Sequence, residues 1–161
     1  MKHRLLGAAT LMFALLWAAT ASAQPRRVTI TVPPGVAFMV SNIAVSTAGA
    51  PGSFLVSFTN ASSLKKNDSF NISVKADTAF VRGPANSQSI PASDVSWTAS
   101  TSAGVATGGT MSSAAYSQVY ASPTAPVSGA VSLQWTLGPL TAAGLRAGTH
   151  TLTVRWRLEF L

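Results

Sequence analysis

Hydrophobic and polar residues alternate in short runs along most of this chain, most regularly near its end. There Leu152, Val154, Trp156, Leu158 and Phe160 are apolar, while Thr151, Thr153, Arg155, Arg157 and Glu159 are polar. Successive side chains of an extended chain point to opposite faces, so this run predicts a strand with one face in a core. Gly148 opens it. Burying its five apolar side chains is worth on the order of 8–15 kcal/mol as an upper bound. The same period marks Val28-Thr-Ile-Thr-Val32, which stops at Pro33-Pro34-Gly35. Val36, Phe38 and Val40 begin a second strand that continues through Ile43 and Val45, with a change of phase near Ser41-Asn42 that reads as a bulge. Further strands are expected on Phe54, Val56 and Phe58, and on Phe70, Ile72, Val74 and Ala76, the last with Asn71, Ser73 and Lys75 outward. Others follow on Val95, Trp97 and Ala99, weakly around Met111, over Tyr116–Ala121, and on Val131, Leu133, Trp135 and Leu137. Residues 140–147 leave room for one short helical turn. Eight or nine short strands separated by Gly and Pro predict an all-β chain folded as an immunoglobulin-like antiparallel β-sandwich.

The first residues follow a different pattern. Lys2, His3 and Arg4 precede an apolar run from Leu5 to about Thr20, and Ala21-Ser22-Ala23 supplies a small-residue cleavage site. A membrane anchor is the alternative. The run is short for a bilayer span and no basic residue lies directly behind it, which favours a cleaved signal peptide over residues 1–23. Residues 24–161 then form a single domain, exported to the periplasm, the cell surface or the medium. The chain has no cysteine, so its core must hold without disulfides.

Beyond the leader, nine basic residues face four acidic ones. Such a balance could attract anionic polysaccharide, lipid headgroups or nucleic acid. The charges are scattered and no nucleic-acid motif accompanies them, so a solubilising surface is expected and nucleic acid is not a predicted partner. Catalytic residue types are sparse: His150, Asp68, Asp77, Asp94 and Glu159 complete the set in residues 24–161. Their spacing suggests neither a metal site nor a pair of carboxylates, so no enzyme activity and no cofactor are predicted. His150 shares the phase of Leu152 and is expected to close one end of the core. Trp97, Trp135 and Trp156 are each in phase with their strand's apolar set and are expected inside. Tyr116 and Tyr120 share a face with Gln118, which makes them candidates for exposed rings that bind a surface polysaccharide. The plainer alternative is tyrosines at a sheet edge with their hydroxyls in water.

The terminal run resembles the C-terminal signature of chaperone–usher pilins, in which a glycine fourteenth from the end precedes alternating apolar residues and a penultimate aromatic. Here Gly148 is fourteenth from the end and Phe160 is penultimate. The resemblance implies a strand presented to a periplasmic chaperone, and a sandwich completed by the N-terminal extension of another subunit. It makes Val28, Ile30 and Val32 donor residues, Pro33-Pro34-Gly35 a hinge, and Gly148, Trp156 and Phe160 part of the acceptor. The partner would be this protein itself or a related subunit. The chain also resembles secreted Ser/Thr/Gly-rich β-sandwich proteins of bacteria, which implies no mechanism. On the residues alone, Val28–Val32 reads more simply as the first strand, split off by Pro33-Pro34-Gly35, of a self-complete sandwich. The expected function is a structural or adhesive role at the cell surface, with a carbohydrate- or anionic-polymer-binding module as the alternative.

Overall fold

The structure, a computed structural model, describes residues 28–50, 53–59, 64–124, 128–141 and 143–161. The leader expected over residues 1–23 lies outside the described residues. The alternating runs form strands, and the chain is all-β with antiparallel pairing throughout. In order the strands are β1 (Thr29–Thr31), β2 (Gly35–Val40), β3 (Thr47–Ala50), β4 (Phe54–Thr59), β5 (Phe70–Ala76), β6 (Phe80–Val81) and β7 (Ile90–Pro91). They continue as β8 (Val95–Thr101), β9 (Val105–Ala106), β10 (Gly109–Thr110), β11 (Ser117–Ala121), β12 (Gly129–Leu137) and β13 (Gly148–Phe160). A 3-10 turn at Ala92–Asp94 precedes β8. No helix among the described residues is long and apolar enough to cross a membrane, which leaves a crossing by strands unaddressed.

One layer of the sandwich runs β1–β4–β12–β8–β10 and the other runs β2–β13–β5–β11–β9. β3 pairs with both β12 and β2 and so joins the layers along one side. Between them lie the inward residues of each alternating strand. Trp97 and Trp135 pack with their rings tilted, 5.5 Å between centroids, and Phe58 packs edge-on to Phe70 at 5.4 Å. With Ile72, Val74, Val131, Leu133 and Leu137 all fully buried, this core forms without a disulfide. Each such side chain contributes roughly 1.5–3 kcal/mol relative to exposure.

Three local expectations change. The strand expected to reach Val45 stops at Val40, because the Asn42 side-chain Oδ1 accepts the Ala44 N–H at 2.9 Å and turns the chain. Val45 is consequently 52% exposed rather than inward. Among its described residues, the segment 140–147 holds a turn at 143–144 and no helix. Gly144 there has φ +83°, and its carbonyl accepts the Gln88 N–H. The third change concerns β13. Leu152 and Val154 are buried as expected, but Trp156 and Leu158 are half-buried and Phe160 is 37% exposed. The apolar stabilisation of this strand is therefore concentrated in its first half.

Candidate functional site

The change of burial along β13 has a cause at the other end of the chain. On one side β13 pairs with β5 from Val154↔Ala76 to Phe160↔Phe70. The Asp77 N–H donates to the Thr153 carbonyl, and the Leu161 N–H donates to the Ser69 carbonyl. In an antiparallel ladder this assigns the backbone groups of the odd-numbered residues to β5 and those of the even-numbered residues to the opposite edge. On that opposite edge β2 pairs from Gly148↔Val40 to Thr153↔Gly35, and the Val154 N–H donates to the Pro34 carbonyl at 3.1 Å. The seam ends there. Pro33 and Pro34 have no N–H to donate, and the chain before them pairs in the other layer as β1. Beyond Val154, no strand among the described residues pairs with the free edge of β13. The N–H and C=O groups of Trp156, Leu158 and Phe160 line it.

The two strands thus form a fork, closed from Gly148 to Val154 and open from Trp156 to Phe160. Trp156 sits in its crotch, donating Nε1–H to the Pro33 carbonyl at 2.9 Å. Beside the fork, a shallow groove of about 360 Å³ is lined by Pro34, Gly35, Ala37, Ala50, Thr151 and Thr153 among others. On the solvent face of the open half stand Arg155, Arg157 and Glu159. Arg155 pairs with Asp77, and Arg157 Nη2 lies 3.0 Å from Glu159 Oε2.

The structure places the residues of the pilin resemblance at two locations. Trp156 and Phe160 lie on the open half of β13. Gly148 begins the strand with φ +137°, a conformation that favours glycine, and an added Cβ would meet the Pro84 ring at 3.2 Å. Val28, Ile30 and Val32 are half-buried against the core of their own chain. Ile30 pairs with Phe58 of β4, between Thr29↔Thr59 and Thr31↔Ser57.

Tyr116 and Tyr120 are not brought together as two exposed rings. Tyr120 is fully buried, packed on Phe58 at 5.1 Å and Phe70 at 5.8 Å. The reason is a register shift in β11 between Gln118 and Tyr120, which turns Val119 and Tyr120 inward in succession. Burial also raises the Tyr120 phenol above its ordinary value of 10.0. Tyr116 remains at the surface, half-buried on the outer face of the β13–β5–β11 layer. The Arg157 guanidinium lies 4.4 Å and the Lys75 ammonium 5.2 Å from its ring centroid. Ser73 beside them is buried although it points outward. The result is a small patch of cations over one aromatic ring. No sequence signal marked this grouping, because Lys75 of β5, Tyr116 just before β11 and Arg157 of β13 come from three separated segments.

The remaining polar groups are dispersed. His150 is fully buried at the start of β13, its Nε2–H donating to the Arg146 carbonyl at 3.0 Å. Its Nδ1 has no hydrogen-bond partner and faces Gly83, where an added Cβ would stand 2.9 Å away. Asp68 Oδ2 accepts the Lys65 N–H within its own loop. Asp77 and Glu159 are engaged by arginines, and no group of three or more potential metal ligands gathers among the described residues. No protein-family model matches this chain, and neither a curated protein nor a solved structure matches it.

Proposed function

We propose that this chain is an exported structural or adhesive protein of the cell surface that accepts an added β-strand along the open half of β13. The observation that carries the reading is the fork. A 13-residue strand paired with β5 and β2 would be expected to bury its whole apolar face, yet from Trp156 onward the backbone edge and its side chains stay partly open. Strand addition needs such an edge, with free donors and acceptors and pockets for alternate side chains. The pilin-like spacing of Gly148 and Phe160 along the strand and the signal-like leader at Lys2–Ala23 support the same reading. Because Val28–Val32 serves its own sheet, it would act as donor only by leaving β4.

Leu158→Pro tests the reading. The Leu158 N–H points to the free edge, so proline there leaves the β5 ladder intact while obstructing a new strand. The variant should still melt in one cooperative transition and lose surface assembly. Retained assembly in the folded variant would refute strand addition at β13.

The Tyr116 patch favours a second reading, in which the outer face of the β13–β5–β11 layer binds an acidic polysaccharide. Lys75→Ala combined with Arg157→Ala should then abolish retention on a polyanionic glycan at low salt. Equal retention of both proteins would remove this reading.

A further inference from the structure

We infer that the strand received by the open edge is β13 of a second copy, paired antiparallel about a two-fold axis through Leu158. This rests on the reading of the edge as an acceptor and names its partner. A two-fold edge contact must be antiparallel, and it is self-complementary: residue i meets j and j meets i. Only the even-numbered residues present their backbone groups to the free edge, so they form the hydrogen-bonded pairs of the new ladder.

Centring on Leu158 sets Leu158 opposite its own copy and Trp156 opposite the second copy's Phe160, twice. On the solvent face it sets Arg157 opposite Glu159, also twice. These charged residues fall at the non-hydrogen-bonded pairs, where facing side chains stand closest. Each Arg157–Glu159 ion pair already present within one chain joins its mate into a ring of four alternating charges. The neighbouring registers lack this match. Centring on Arg157 sets arginine against arginine, centring on Glu159 sets glutamate against glutamate, and centring on Trp156 sets Arg155 against Arg157. Charge therefore selects one register. The apolar side of that register buries Trp156, Leu158 and Phe160, the inward side chains of β13 that the single chain leaves partly open. At the far end, the Pro34 carbonyl on Val154 marks where β2 takes over and the new ladder stops.

Sedimentation equilibrium of the purified protein tests this through charge reversal. The parent should be a dimer. Arg157→Glu and Glu159→Arg should each set like charges opposite one another twice and weaken dimerisation at least ~10-fold. Mixing these two single variants should give a heterodimer, because every facing pair is then opposite in sign. The double variant Arg157→Glu/Glu159→Arg should dimerise with itself. Leu158→Pro should be monomeric and keep a single cooperative melt whose midpoint does not depend on protein concentration, which separates loss of contact from loss of fold. A monomeric parent overturns the inference. In that case, chemical-shift changes at the Trp156 indole on adding a peptide of alternating apolar residues would preserve the acceptor reading, and their absence would remove it as well. A parental dimer indifferent to charge reversal, or single variants that fail to pair on mixing, also overturns the two-fold register.

Discussion

Tyr120 illustrates how far a single side chain can be read from its neighbours. Its phase within Tyr116–Ala121 aims it outward, and one irregularity between Gln118 and Tyr120 reverses that, placing the ring between Phe58 and Phe70. The bulge arises from pairing with β5, more than forty residues earlier, so no local feature of the sequence announces it. Burial has a measurable consequence. The folded chain holds the phenolic proton more tightly than the unfolded chain, whose tyrosine ionises near 10.0. Above about pH 10 the unfolded state therefore binds fewer protons, and the tyrosine's contribution falls as pH rises through the folded-state value. Tyr120→Phe should show a shallower loss of stability than the parent above pH 10, and the two should run parallel below it, as measured by urea unfolding across pH. Parallel curves through the alkaline range would contradict the buried phenol. Gly83 poses a different constraint: its backbone lies so close to the His150 ring that Gly83→Ala must displace one of them. Overpacking of this kind costs about 1–3 kcal/mol, and a thermal melt indistinguishable from the parent's would show that the contact is looser.

Among the strands, β13 combines two environments in one continuous run of alternating residues. Its first half is held on both edges, by β2 and by the Arg82–Thr151 bridge that continues the β5 side. Its second half is held on one edge. The alternation from Leu152 to Phe160 is uniform, so pattern alone predicts uniform burial. The difference comes from Pro33-Pro34, which halts β2 and sends the chain into the other layer. Substitution should expose the asymmetry. Leu152→Ala should cost about 2–5 kcal/mol, the range for a large-to-small change in a packed core. Leu158→Ala should cost distinctly less in the monomer, because its side chain keeps partial contact with water. Denaturant midpoints for the two variants decide this, and equal losses would mean that the open half is as well packed as the closed half.

At the level of the whole molecule, self-association through the open half of β13 would couple stability to protein concentration. A contact made only by folded chains raises stability by mass action, so the melting temperature should rise with protein concentration. The rise should vanish in Leu158→Pro, and calorimetry over a hundredfold range of concentration would show it; a concentration-independent parental melt would argue against any such contact. Much of this molecule follows from local pattern. Period-two alternation assigns the main strands, their inward faces and the buried Trp97 and Trp135, because a one-residue slip would carry every apolar side chain into water. The sparse and scattered carboxylates, the single histidine after residue 23 and the absence of cysteine are likewise plain from the residues. Other features depend on which strand lies beside which. The buried Tyr120, the grouping of Lys75, Tyr116 and Arg157, and the fork between β2 and β13 each arise from pairings between distant segments. Side-chain periodicity records which way a strand faces, but the hydrogen-bonding edges that decide its partners are made of backbone, and they leave almost no trace in the identity of the residues.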